Sequence, residues 1–310
     1  MPFRIYSSAD PGAPSFTGAQ GDFVRLLKAV LVDGYGQIPP AGWSAPFVDL
    51  PNNKIVLRNG ASSIARSYFR LVEDISNIYT RGFHDMTGID TGTGAFPTTS
   101  QVTGEGIRTV RTSFGTSWKI FADERTCLAL IFAPVSPPRW VPYYIGDVIP
   151  IDPANSMASV VLTSRTASGS SEAFHVFTIA GSGSPYVTAN GYMKGTGSDP
   201  VSTGISGVGF FEGTVVTGVT SPFRAFSGPS AFIGGKIFLR PFYLISTTGF
   251  NLLARLRFVH IPFHSAFSDG DTFGGTGLLS TKRFVVHRVN VVVSDPTNRA
   301  WAVFETQNPD

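Results

Sequence analysis

The sequence predicts a mainly β protein, with antiparallel sheets in a sandwich or barrel-like arrangement and one N-terminal amphipathic helix that makes the N-terminal half α+β. Three observations lead to this prediction. Short apolar or alternating segments recur along the 310 residues and are separated by turns rich in the 34 glycines and 22 prolines, which is typical of antiparallel strands. Residues 21–33 place apolar side chains at helical spacing. Residues 126–132 form an apolar run suited to a strand buried on both faces.

The predicted helix, residues 21–33, has a polar face with Arg25 and Lys28 and is followed by Gly34, a residue that favours a helix C-terminus. One such helix is enough to cover one face of a sheet. Its apolar face consists of Phe23, Leu26, Leu27, Val30 and Leu31.

Composition divides the chain into three regions. Residues 1–20 combine a short strand at 3–6 with many Pro, Gly and Ser residues, so we expect an extended arm that lies on a neighbouring subunit. Residues 21–165 are predicted as a helix-plus-sheet domain. Residues 166–310 are predicted as a β-rich region with a Gly/Ser/Thr-rich insertion at about 181–230.

Predicted strands occupy most of these regions, and residues 37–51 are predicted as a loop. Prolines interrupt the central strands because proline cannot donate to a ladder. Gly146, inside one of these strands, is predicted to form a bulge or bend. The predicted strands are residues 54–58, 67–73, 77–83, 106–111, 118–121, 126–132, 140–149, 157–163, 173–179, 236–246, 252–259, 283–293 and 299–306.

The composition also indicates which partners to expect. Charged residues make up 15% of the chain, well below the usual ~25% of soluble domains. Phenylalanine occurs 26 times. A surface short of charge and rich in aromatic residues favours contacts with other subunits. The net charge of +3, without a block of Lys and Arg, predicts no nucleic-acid partner.

No cofactor or membrane insertion is predicted. No window approaches 18 apolar residues, and the N-terminal residues lack the apolar core of a signal peptide. Cys127 is the single cysteine and lies in the apolar run, so we expect a small buried hydrophobic residue. A lone thiol of this kind is compatible with folding in a reducing cytosol.

The central run Trp-Lys-Ile-Phe-Ala-Asp-Glu-Arg-Thr at residues 118–126, followed by Tyr-Tyr-Ile-Gly-Asp at 143–147, resembles a family of structural proteins of tailed bacteriophages. Further matches to this family are the order of motifs in residues 21–60, the Gly/Thr-rich run 88–97, and residues 252–284. The resemblance covers most of the chain and is weakest across residues 165–235.

The resemblance implies a non-enzymatic virion protein, assembled in the bacterial cytoplasm, that builds the tail, neck, baseplate or capsid surface. Its partners would be copies of itself and other virion proteins. An alternative is a receptor-binding tail fibre or tip module, which would hold a host-surface glycan through Tyr186 and Tyr192 in the 181–230 loops. Aromatic side chains are the candidate interface, with Trp43, Trp140, Trp301, Tyr143 and Tyr144 as its members.

Two short motifs resemble catalytic ones without their full pattern. Asp90-Thr91-Gly92 spells the aspartic-protease tripeptide, but that chemistry needs two such aspartates and the chain has one copy. A structural loop is therefore the favoured interpretation. Gly42-Trp43-Ser44-Ala45-Pro46 lacks the closing glycine of a nucleophile elbow, which argues against a serine hydrolase.

The histidines and nearby carboxylates suggest a weak candidate cation site. His260, His264, Asp269 and Asp271 lie close in sequence, but Pro262 excludes a helix that would place both histidines on one face. A β-turn beside histidines that bond the backbone is the favoured interpretation.

Other isolated polar groups are also expected to be structural. His84, His175 and His287 each stand among apolar neighbours and are expected in a core or an interface. Asp123-Glu124-Arg125 is expected to form a solvated ion pair in a turn.

Overall fold

The computed structural model describes most of the N-terminal half of the chain and separate segments of the C-terminal half. The described residues are 3–63, 65–102, 104–111, 114–134, 138–152, 159–163, 191–194, 203–208, 232–233, 236–237, 239–246, 252–262, 267–275, 279–291 and 299–306.

The predicted amphipathic helix is present as α1 (Asp22–Lys28), which continues as a π-helical turn, Ala29–Asp33. It ends at Gly34, whose φ of 79° lies in the region that glycine adopts without strain. All five residues of the predicted apolar face are buried, so the helical spacing identified the packed face correctly. In the parts of the chain that the structure describes, no helix has the length and apolar character needed to cross a membrane.

The rest of the described chain is mainly strand, which confirms the predicted fold class. In chain order the strands are β1 (Arg4–Ser7), β2 (Ser44–Asp49), β3 (Lys54–Arg58), β4 (Tyr68–Glu73), β5 (Asn77–Phe83), β6 (Asp85–Met86), β7 (Gly92–Thr93), β8 (Ile107–Val110), β9 (Trp118–Ala122), β10 (Thr126–Ala133), β11 (Arg139–Asp147), β12 (Ile149–Pro150), β13 (Ser159–Thr163), β14 (Gly191–Met193), β15 (Thr203–Val208), β16 (Phe232–Ile233), β17 (Lys236–Ile237), β18 (Leu239–Ser246), β19 (Leu252–Pro262), β20 (Thr272–Gly274), β21 (Arg283–Val291) and β22 (Arg299–Glu305). A 3₁₀ turn, Leu50–Asn52, follows β2.

Antiparallel pairing joins these strands into two large sheets and two small ones. The five-stranded sheet has the order β2-β3-β4-β5-β8, and the 13-stranded sheet runs β1-β9-β10-β11-β13-β14-β15-β18-β19-β22-β21-β20, with β12 paired to β19. The small sheets are β6-β7 and β16-β17. The boundary predicted between residues 165 and 166 falls inside the large sheet, because β13 pairs with β14 across it.

Strands β9, β10 and β11 form the middle layer of the protein. On one face, residues such as Trp118, Cys127 and Ile131 pack with α1 and the five-stranded sheet. On the opposite face, Leu128 and Leu130 pack with the later strands β18, β19, β21 and β22. The apolar run that forms β10 is therefore buried on both faces, as its composition predicted.

Gly146, where a bulge or bend was predicted, keeps its pairing with both neighbouring strands but has an unusual backbone conformation within β11. Its φ is 117°, and a Cβ atom at this position would lie 2.4 Å from the carbonyl oxygen of Arg125. No side chain can occupy so short a contact without movement of the backbone. The glycine thus brings the end of β11 against the turn between β9 and β10.

The N-terminal arm lies along its own chain, and its contact with a neighbouring subunit stays a prediction. The backbone N–H of Ser8 donates to the carbonyl oxygen of Trp118 at 3.0 Å. The hydroxyl of Tyr35 donates to Asp10 at 2.8 Å. Phe16 is buried in the core beside α1, which supplies the apolar anchor that the arm's composition did not reveal.

Strand β2 corrects the loop predicted at residues 37–51. It pairs with β3 on one side and forms an edge of its sheet. Pro46 within it is acceptable there because an edge strand leaves some N–H positions outside the ladder. The predicted strand at 173–179 and most of the predicted insertion at 181–230 lie outside the described residues.

Candidate functional site

A buried polar junction forms where the end of β11, at Gly146, meets the β9–β10 turn. Asp147 is 2% exposed, and one of its carboxylate oxygens accepts hydrogen bonds from Ser63 Oγ at 2.8 Å and Asn59 Nδ2 at 3.1 Å. Arg125 Nε donates to the other oxygen at 3.1 Å. Burial raises the pKa of the Asp147 carboxyl, while Ser63 and the Arg125 guanidinium oppose that rise.

A second ion pair continues this junction into the later strands. Arg257 on β19 places Nη1 at 2.9 and 2.8 Å from the two carboxylate oxygens of Asp123 and also donates to Thr126 Oγ1 at 3.0 Å. Thr126 Oγ1 in turn donates to the carbonyl oxygen of Asp147. Trp43 Nε1 donates to the carbonyl oxygen of Asp123 at 2.7 Å. These contacts connect the start of the five-stranded sheet, through Trp43, to the middle layer and to β19.

The junction corrects the solvated ion pair expected within Asp123-Glu124-Arg125. Asp123 is 6% exposed and pairs with Arg257, which is 134 residues away, while Arg125 pairs with Asp147. Every carboxylate oxygen of the two aspartates already has a partner inside the chain. The junction therefore fixes strand geometry and offers no free base for chemistry.

A second polar group, which we call the Lys119 cluster, consists of Lys119, Trp140, Asp269 and His287. His287 Nδ1 lies 3.2 Å from Asp269 Oδ1, and His287 Nε2 lies 3.0 Å from Lys119 Nζ. Trp140 Nε1 donates to Asp269 Oδ2 at 3.1 Å, and the Trp140 and His287 ring centroids are 5.0 Å apart. The four side chains come from three strands and from the turn before β20.

The environment of the Lys119 cluster favours an ionised Asp269 beside a neutral imidazole. Burial raises the pKa of Asp269, but hydrogen bonds from His287, the Arg288 backbone and Trp140 outweigh it and lower that pKa to about 2. Burial lowers the pKa of His287, against the hydrogen bond to Asp269. Burial also lowers the pKa of Lys119, because an ammonium group is poorly solvated there.

The aromatic residues predicted as an interface need correction. Four of them are at most 7% exposed within the single chain, so their side chains present no free surface to a partner. Trp43 and Tyr143 lie in the core beside α1, and Trp140 and Tyr144 lie in the core between the middle layer and the later strands. The side chain of Trp301 lies outside the described part of the structure.

The residues of the predicted cation site do not come together. His260 Nε2 lies 2.6 Å from Glu305 Oε1, Asp269 belongs to the Lys119 cluster, and Asp271 Oδ2 accepts from the backbone of Ser268. His264 lies outside the described residues. Within the described ranges, no three His, Cys, Asp or Glu side chains are close enough to hold a metal ion.

The remaining candidate residues have structural contacts where the structure describes them. Asp90 forms ion pairs with Arg70 and Lys54 on the outer face of the five-stranded sheet. Tyr192, a candidate for glycan stacking, is 6% exposed and donates its hydroxyl to Gln101 O. His84 packs edge-to-face on Phe96, and Cys127 is buried with a raised thiol pKa caused by burial. Tyr186 and His175 lie outside the described residues.

The sequence held only a weak signal for the residues that form these groups. Arg257 and Lys119 each interrupt a run of apolar residues, and a charged residue at such a position needs a buried partner. The partners themselves are 134 residues away for Arg257 and 168 residues away for Lys119, so local spacing could not identify them.

Comparison with known proteins assigns no family to this chain. A scan against protein-family models and a search of curated proteins each find no match.

The buried junction predicts an unequal response to removal of two arginines. Arg257→Met should lower the free energy of unfolding by ~3–5 kcal/mol, because it leaves the Asp123 carboxylate buried without its charge partner. Arg25→Met is the matched control, since Arg25 pairs with Asp22 at 3.5 Å with a side chain 54% exposed and should cost ~0–1 kcal/mol. Denaturant unfolding of both variants measures the difference, and equal losses would show that Arg257 is not a buried structural partner.

Proposed function

We propose that this protein is a non-enzymatic structural subunit of a tailed-bacteriophage virion. It builds the tail, neck, baseplate or capsid surface by associating with copies of itself and with other virion proteins. One observation carries the proposal: the two central motifs that resemble phage structural proteins lie in the interior strands of the chain. Residues 118–126 form β9 and the following turn, and residues 143–147 form the end of β11.

The polar members of those motifs support a scaffolding role. Asp123, Arg125 and Asp147 all belong to the buried junction, where each is paired inside the chain. Residues of this kind fix the relative positions of the strands that they connect. They do not determine the surface of the protein. An architectural subunit needs such paired residues in its interior, whereas an enzyme needs an open site with unpaired reactive groups.

Exposed aliphatic side chains now replace the buried aromatic residues as candidate contacts. Ile75 is 77% exposed at the tip of the β4–β5 hairpin, and Val48 and Ile151 are each 43% exposed. An isolated exposed aliphatic side chain is common, so the rigidity of the Ile75 tip is what distinguishes it.

The tip that carries Ile75 is held by hydrogen bonds on both sides. Asp74 Oδ1 accepts from the backbone N–H groups of Ser76 and Asn77 at 2.7 and 2.6 Å. Arg111, 5% exposed, donates to the carbonyl oxygens of Asp74 and Ile75. A side chain presented on a rigid turn loses little conformational entropy when it binds. Ile75 is therefore suited to anchor a neighbouring subunit.

The proposal predicts that the chain is a component of purified virions. Particles banded by density, washed in high salt and analysed by quantitative mass spectrometry should contain the protein at a fixed copy number relative to the other virion proteins. The copy number also indicates position, because a few copies fit a neck or baseplate, whereas hundreds fit a capsid shell. Absence from particles, with abundant protein in the infected-cell lysate, would overturn the proposal.

Self-association through the hairpin tip is tested separately. Ile75→Asp should reduce the mass of the sedimenting oligomer, because a carboxylate at the contact would have to be desolvated. Thr99→Asp is the control: it adds the same charge at an exposed loop position away from the tip. Both variants should melt like the wild type. A wild-type oligomer that Ile75→Asp leaves intact would exclude the tip as the contact.

A further inference from the structure

Lys119 differs from the other lysines whose side chains the structure describes. Its Nζ contacts an imidazole nitrogen of His287, and no carboxylate lies within ion-pair distance of it among the described residues. The others have oxygen partners: Lys28 with Asp33 at 2.6 Å, Lys54 with Asp90 at 2.8 Å, Lys282 with Glu305 at 3.0 Å, and Lys194 with the carbonyl oxygen of Ala65 at 2.8 Å.

The contacts of His287 place the Asp269 carboxylate, the His287 imidazole and the Lys119 amine in a row, which we call the relay. Its Nδ1–H donates to the Asp269 carboxylate, so Nε2 carries a lone pair that faces the Lys119 amine. Carboxylate, imidazole and nucleophile follow one another in the order used by hydrolase triads, with an amine in the nucleophile position. The Arg288 backbone N–H and Trp140 Nε1 hold the carboxylate in place at 2.8 and 3.1 Å.

Burial favours the uncharged form of the Lys119 amine, and part of the Lys119 side chain remains exposed. Lys119 Nζ lies 5.4 Å from the centroid of the Trp140 ring, which itself packs on Phe132. A cation–π contact of this kind favours the ammonium form, whereas burial disfavours it and lowers the pKa of Lys119. The Lys119 side chain is only partly buried, and the Asp269 side chain is 41% exposed, so the relay opens to solvent at its carboxylate end.

We propose that Lys119 is a nucleophilic amine that captures aldehyde groups as a Schiff base, with His287 as its general base and Asp269 as the residue that orients His287. This site is independent of the assembly role proposed above. Small aldehydes are the expected ligand class, because in the described part of the chain the Trp140 ring beside the amine packs on Phe132 and His287.

The reaction balances with the groups present. The free amine of Lys119 attacks the carbonyl carbon, and one Nζ proton passes to His287 Nε2, which forms an imidazolium beside the Asp269 carboxylate. The imidazolium gives this proton to the former carbonyl oxygen, which becomes the hydroxyl group of the carbinolamine. His287 then takes the second Nζ proton and delivers it to the hydroxyl group, which leaves as water while the C=N bond forms. Amine and aldehyde are thus converted to imine and water, with no change of oxidation state.

Reductive labelling of the folded full-length protein tests the proposal. Propanal and sodium cyanoborohydride at pH 7 convert imines to stable propyl-lysines, and peptide mass spectrometry gives a rate for each lysine. Lys119 should be labelled at least about tenfold faster than Lys28 or Lys54, since a positioned general base contributes ~10²–10⁴-fold. A Lys119 rate equal to or below those of the two ion-paired lysines would overturn the proposal.

Two variants distinguish the relay from a lysine made reactive by burial alone. His287→Gln removes the base and should lower the Lys119 rate to that of Lys28, with the Lys28 rate unchanged. Asp269→Asn keeps the shape of a partly exposed side chain and should reduce the Lys119 rate less, with an altered pH profile. If His287→Gln does not fold, Asp269→Asn decides the question. An unchanged Lys119 rate and pH profile in a folded variant would overturn the relay.

Discussion

Burial of β10 on both faces and on both edges is the constraint on which the rest of this structure depends. Its two edges pair with β9 and β11, and its alternate side chains enter two separate cores. A strand whose two faces are both apolar needs a packed layer against each face. The helix and the five-stranded sheet supply one cover, and strands β18, β19, β21 and β22 supply the other. Residues far apart in the sequence are therefore brought against the same eight-residue strand.

Double-sided burial also explains why the polar groups near β10 are paired. A charged group that enters a layer between two sheets loses its water on all sides, and it remains ionised only where a partner replaces that water. Asp123, Asp147 and Arg257 satisfy this requirement at one end of the middle layer. The Lys119 amine contacts an imidazole, whereas Lys28, Lys54 and Lys282 contact carboxylates. This difference in partner sets Lys119 apart from these lysines.

Local sequence pattern was sufficient to predict individual helices and strands. It was insufficient to predict which distant residues they contact. The helix and the buried run of β10 each follow from residue type and spacing within a few positions. The location of Trp140 did not: it was predicted as an interface residue, but the later strands cover it. Pairings such as His260 with Glu305, 45 residues apart, depend on the order of strands in the sheet. The N-terminal arm shows the same limit, since Phe16 is its anchor only because α1 and Phe114 lie beneath it.

Native-state hydrogen exchange measures the central claim most directly. Amides of a strand covered on both faces and both edges can exchange only when the protein unfolds as a whole, whereas edge strands open locally. The slowest amides should therefore be those of β10, with an opening free energy equal to the global free energy of unfolding, and those of the edge strand β2 should exchange through smaller openings. Exchange in β10 as fast as in β2 would contradict the account.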